Sequence, residues 1–125
     1  IKVHDISLIR LITPNTTPKR LKVITSHASG FLYYVTITGV TGQKSADMNE
    51  LIDSIKNIKH FSKLPVVAGF GINNKKDVNE ICKITDGAVV GSSIIKIIEN
   101  NQNKKDEMLK LISKFIRDLK EGTNI

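Results

Sequence analysis

Apolar positions along this chain fall into short dense runs separated by stretches where they recur every three or four residues. His4–Ile12 is the first run, and Ile6, Leu8, Ile9, Leu11 and Ile12 predict a strand buried on both faces. Thr17-Pro18 reads as a helix cap followed by proline at the first helical position, where its missing N–H costs nothing. Leu21, Val23 and Ile24 then mark the inward side of a short helix that stops near Ser29-Gly30. Phe31–Thr36 has the aromatic and β-branched character of a strand. Past the polar, glycine-bearing stretch Ile37–Lys44, apolar residues Met48, Leu51, Ile52, Ile55 and Ile58 return at helical spacing. Pro65–Ala68 and Ala88–Val90 are further strand runs around a predicted helix over Lys76–Ile84, which Asn73 or Asn74 is placed to cap. A helix from Ser92 to about Asn100 follows, and Met108, Leu111, Ile112, Phe115, Ile116 and Leu119 line one side of a last amphipathic helix.

Repeated βα units with short turns demand a parallel sheet, because each crossover returns the chain in the same direction. No linker or low-complexity segment divides them, so residues 1–125 are expected to form one piece without an internal boundary. Two α/β architectures satisfy the pattern, an open doubly wound sheet and part of a (β/α)8 barrel, and both gather loop glycines at the C-terminal ends of strands. The barrel has a further match. Its common phosphate site lies after the last two strands at a helix N-terminus, and Gly71 and Gly91-Ser92 follow the last two strands here.

Those glycines point to an anion. Gly69, Gly71 and Gly91 leave bare backbone where strands end, and Ser92-Ser93 open a helix, so free N–H groups and the positive end of a helix dipole face one small space. A Cβ there would hold a phosphate away from the amides. An isolated glycine pair would read as turn residues only; two on neighbouring parallel strands, the second in Gly-Ser-Ser, favour phosphate.

Composition narrows the partners. With 40% hydrophobic and 25% charged residues the chain is an ordinary globular one. No apolar run approaches the roughly 20 residues that span a bilayer, so no membrane partner is expected. The net charge of +7 raises nucleic acid as a partner. Its lysines, however, alternate with acids, as in Lys104, Lys105, Asp106, Glu107, Lys110, Lys114, Arg117, Asp118 and Lys120, and read as solvated helix faces. Two tyrosines, four phenylalanines and no tryptophan give no basic-aromatic alternation that would stack bases, so no nucleic acid is expected either. Cys82 is the single cysteine, and beside Val78 and Ile81 it reads as a small buried side chain. His4, His27 and His60 lack metal-ligand spacing, so no metal site is expected. Ser92 has no histidine placed as its base and reads as an anion ligand, not a nucleophile.

The segments LITPNTTPKRLKVI, ASGFLYYVTITGVTG, LPVVAGFGI and DGAVVGSSIIKIIE, in this order and spacing, resemble the C-terminal half of the tryptophan synthase α chain family. ASGFLYYVTITGVTG carries the likeness most specifically, since GFGI and DGAVVGSS occur in similar form across phosphate-binding barrels. The resemblance implies a TIM (β/α)8 barrel of which this chain supplies strands five to eight and a C-terminal helix. It implies a cytoplasmic lyase of tryptophan biosynthesis, cleaving indole-3-glycerol phosphate by a retro-aldol reaction into indole and glyceraldehyde 3-phosphate. The expected partner is the tryptophan synthase β chain in an α2β2 complex; pyridoxal phosphate is expected on that chain and no cofactor on this one. By the same resemblance Gly42, Gly71, Gly91 and Ser92 hold the substrate phosphate, and Tyr33 and Phe70 line the indole pocket. Thr38, Gly39, Val40, Thr41 and Gly42 belong to a mobile lid running to Lys44, with Thr41 ordering the catalytic carboxylate.

One departure matters. The family's acid/base glutamate and aspartate lie on early strands, for which this sequence has no counterpart, and Asp5, Asp47, Asp53, Asp77 and Asp86 precede strands or sit in helix patterns. No catalytic residue is therefore expected in this chain. Full barrels take about 250 residues, so 125 residues beginning at Ile1 are expected to be a fragment or truncated product, and no signal peptide is visible. Two other readings stand beside the lyase: a non-catalytic half-barrel that binds or assembles, and another sugar-phosphate barrel enzyme, which FLYYVTIT and GVTG disfavour.

Overall fold

The computed structural model describes residues 5–35, 48–69 and 71–124. Along the chain come β1 (Arg10–Ile12), α1 (Pro18–Ser26), β2 (Leu32–Val35), α2 (Met48–Phe61), β3 (Val66–Gly69), α3 (Lys75–Cys82), β4 (Gly87–Ala88), α4 (Ser92–Asn100) and α5 (Lys105–Glu121). The strands form one parallel sheet in the order β1-β2-β3-β4. A doubly wound sheet reverses its strand order at a switch point. This one does not, so right-handed crossovers all leave their helices on the same face, as in a segment of a barrel wall.

Burial follows from that winding. Ile12, Leu32, Tyr34, Val66 and Ala68 point to the helical layer and are at most 2% exposed, packed with Leu21 of α1, Leu51, Ile55 and Ile58 of α2, and Val78 and Ile81 of α3. The alternate positions Leu11, Tyr33, Val67 and Gly87 lie in register across the other face. No helix among the described residues covers it, and Leu11 is 59% exposed.

This one-sided cover corrects the expectation that the first strand is buried on both faces. Only Arg10–Ile12 pairs as a strand. Residues 5–9 lie outside any strand, and Ser29 ties them instead, its Oγ accepting the Leu8 N–H at 3.0 Å. The last strand is also corrected, from Ala88–Val90 to Gly87–Ala88. As an edge strand it has one neighbour, and although the Val89 N–H still donates to the Ala68 carbonyl at 2.9 Å, pairing with β3 goes no further.

Local chemistry sets the helix starts. Thr17 Oγ1 accepts the Arg20 N–H and Pro18 opens α1, as predicted. Of the two candidate caps for α3, Asn74 serves: its Oδ1 accepts from the N–H groups of Lys76 and Asp77 at 2.9 and 3.0 Å.

Asp86 fastens the N-terminal end of β3. Its carboxylate accepts the Val66 N–H at 2.8 Å, and Lys59 donates to it at 3.1 Å from the last turn of α2. Burial pushes this carboxyl up, but the bonds from Val66 and Lys59 and the lysine's charge outweigh it, and the net shift is downward. A depressed folded value contributes stability above the unfolded carboxylate pKa of about 4 and loses it as pH falls through the folded value. Asp86→Ala should therefore lower unfolding free energy by about 1–3 kcal/mol near neutral pH, chiefly by stranding the Val66 N–H, with the exposed ion pair adding little. Urea midpoints at pH 7 and pH 3 check this; a penalty that is the same at both contradicts it.

Candidate phosphate site

β3 and β4 deliver two backbone turns to the same end of the sheet. In the first, Gly71 takes φ +51°, the left-handed region that favours glycine. In the second, Gly91 sits at the N-cap of α4 with φ −124°, which does not call for glycine on conformational grounds. A Cβ built on either would meet nothing within 4 Å. At Gly91 the absent side chain thus leaves room in front of the helix.

The start of α4 is electrostatically open. α1 and α3 are capped by Thr17 and Asn74, whereas α4 has no side-chain cap and no acidic residue in its first turn. α5 also lacks a side-chain cap, but Asp106 and Glu107 occupy its first turn. Among the described residues no acceptor meets the N–H groups of Gly71, Gly91 or Ser92. Donors with no acceptor among the described residues, at a helix start with no side-chain cap and no acid in its first turn, favour an anion in the space the glycines leave.

The two turns are also tied together. Ser93, in the first turn of α4, points its hydroxyl at the Ile72 carbonyl (2.7 Å) and at Asn73 Oδ1 (2.8 Å). Asn73 Nδ2 donates to the Gly71 carbonyl, and the Asn73 N–H goes to Asp77 Oδ2 at 2.9 Å. From sequence, Asn73 is an alternative cap and Ser93 opens the helix with Ser92, and neither pattern joins the two residues. The only signal was the second serine of Gly-Ser-Ser.

Comparison with known proteins bears on what this site serves. The sequence model of the family described as "Tryptophan synthase alpha chain" matches residues 1–124. The chain belongs to the tryptophan synthase alpha chain family. The alpha chain of Methanocaldococcus jannaschii is 44% identical over 107 residues, covering 86% of this chain and 38% of that one. The alpha chain of Petrotoga mobilis is 41% identical over 120 residues, 96% and 46% of the two. The solved alpha subunit of Campylobacter jejuni superposes with a TM-score of 0.78 at 36% identity, covering 94% of this chain and 45% of that one. The chain thus spans under half the length of these alpha chain relatives.

Of the residues expected at the site, the described structure brings Gly71, Gly91 and Ser92 to one end of the sheet. Tyr33 lies on the face that no helix among the described residues covers, in register with Leu11 and Val67, while its neighbour Tyr34 is buried under α2. Burial pushes the Tyr34 phenol up, a bond to Ser54 opposing and the charge of Glu50 adding to it. Phe70, Gly42, the lid residues Thr38, Gly39, Val40 and Thr41, and the rest of the stretch to Lys44 lie outside the described residues. Cys82 is half-buried against the core, and burial raises its thiol pKa despite Lys120. His27 and His60 are exposed. Among the described residues no group of three or more histidines, cysteines or carboxylates is arranged to hold a metal, and no helix is long and apolar enough to cross a membrane.

Proposed function

We propose that residues 1–125 are the phosphate-holding C-terminal half of a single (β/α)8 barrel domain, the alpha subunit of tryptophan synthase. The whole subunit is a carbon–carbon lyase that cleaves indole-3-glycerol phosphate to indole and glyceraldehyde 3-phosphate. Its partner is the β chain, which carries pyridoxal phosphate. The observation that carries this reading is the uncapped, acid-free start of α4 at Gly91-Ser92, facing the same end of the sheet as Gly71, in a chain of this family. In this role the N–H groups of Gly71, Gly91 and Ser92 bind the phosphate dianion and fix one end of the substrate. Tyr33 then stands on the face where the indole end would lie. Protonation of indole C3 and removal of the hydroxyl and ring N–H protons fall to carboxylates on strands this chain does not carry.

Calorimetric titration of the 125-residue chain with glycerol 3-phosphate tests the reading. Gly91→Val should weaken binding by about tenfold or more, because its side chain fills the anion's space and displaces a charge-assisted contact. Ser92→Ala keeps the N–H and should weaken it by no more than about threefold. Equal, negligible effects of the two substitutions would count against the site.

A further inference from the structure

Phosphate binding by backbone amides needs the donors held in one place, and here they come from two segments about twenty residues apart in sequence. We propose that Ser93 and Asn73 form a positioning tether that sets the gap between Gly71 and the N-terminus of α4, and thereby the affinity for phosphate. The inference rests on the phosphate reading above.

Among the described residues, the Ser93 hydroxyl makes the only side-chain hydrogen bonds that join the turn 71–74 to the start of α4. Its proton is shared between the Ile72 carbonyl and Asn73 Oδ1, at 2.7 and 2.8 Å. The Asn73 amide is held in the matching orientation, because Nδ2 donates to the Gly71 carbonyl and leaves Oδ1 for the serine. Behind it, Asp77 takes the Asn73 N–H at 2.9 Å and the Asn74 side-chain amide at 3.0 Å, while Asn74 caps α3. The turn is thus anchored to α3 on one side and to α4 on the other. Ser93 presents its hydroxyl to that turn, so its contribution to the anion is indirect. Donors mis-set by about 1 Å lose most of the benefit of preorganisation.

The test uses the full chain with glycerol 3-phosphate as probe, read by calorimetry and by thermal midpoints with and without the probe. Ser93→Ala should weaken binding about tenfold, and Asn73→Ala by a similar factor, since either removes the same link. The double variant should be little weaker than either single one, because coupled residues are non-additive. Ser93→Thr keeps the hydroxyl and should restore affinity to within about twofold. A merely structural role would lower the midpoint of Ser93→Ala without changing affinity in the protein that remains folded, and that result overturns the proposal. Additive losses, or failure of Ser93→Thr to rescue, overturn it as well. If Ser93→Ala unfolds the chain, the Asn73→Ala and Ser93→Thr titrations decide by the same criteria. Absence of binding by the unsubstituted chain overturns the phosphate reading itself and this inference with it, whereas binding indifferent to Ser93 and Asn73 overturns the inference alone.

Discussion

Residues 1–125 by themselves should release no indole from indole-3-glycerol phosphate above the uncatalysed background. The cleavage needs a proton delivered to the indole ring and others taken from the hydroxyl and the ring N–H, and each positioned acid or base typically contributes about 10²–10⁴-fold. Among the described residues no carboxylate stands at the C-terminal end of a strand. Asp86 precedes β4 and is engaged with Val66 and Lys59. Asp77 is engaged with Asn73 and Asn74. Glu50, Asp53, Glu80 and Glu99 lie on helices, and Asp47 lies outside the described residues. Adding the N-terminal half of a relative's alpha chain in trans should bring cleavage, seen as indole released on mixing the two. Robust release by the 125-residue chain alone would overturn both the proposed division of roles and the site.

Gly69→Ala should be among the most destabilising single-methyl additions in the molecule. An alanine Cβ at this position would overlap the backbone carbonyl oxygen of Val89 and come within 2.9 Å of the Val89 Cβ. Neither is the far end of a flexible side chain, so β3 and β4 must part where both strands lead into the phosphate turns. Overpacking of this kind costs about 1–3 kcal/mol, and more when backbone has to move, against a total stability of about 5–15 kcal/mol for a typical domain. Gly91→Ala adds the same methyl to open space and should stay within about 1 kcal/mol of the unsubstituted chain. Urea unfolding of the two variants checks the contrast. Equal losses would mean that the close approach of β3 to β4 does not limit the fold.

Much of this arrangement was legible in sequence, and the gaps have physical causes. The Thr17-Pro18 start of α1 and the apolar stripe of α2 depend on local chemistry, and the structure has them where the pattern predicts, whereas on α5 only Leu119 of the expected stripe is buried and Leu111 and Ile116 are exposed. The βα alternation likewise dictated parallel pairing. Density of apolar residues in His4–Ile12 misled, because it cannot distinguish a strand covered on two faces from one whose second face carries Leu11 into the open. Ala88–Val90 misled similarly, since the end of an edge strand is set by its single neighbour. Asn74 caps α3 through bonds two and three residues away, but the role of Asn73 depends on Ser93, a partner twenty residues off that no local pattern points to. Tyr33 and Tyr34 differ only in which side of the sheet they face, a matter of register.

The most direct test of the central claim is a backbone-amide NMR titration of the 125-residue chain with glycerol 3-phosphate at moderate salt. With a net charge of +7, the chain will attract anions generally, and the exposed basic face of α5 with Lys110, Lys114 and Arg117 is the natural place for such attraction. Saturable shifts are expected at the amides of Gly71, Gly91, Ser92 and Ser93, lost in Gly91→Val, with α5 largely unaffected. Shifts spread over α5 while the start of α4 stays silent would contradict that claim.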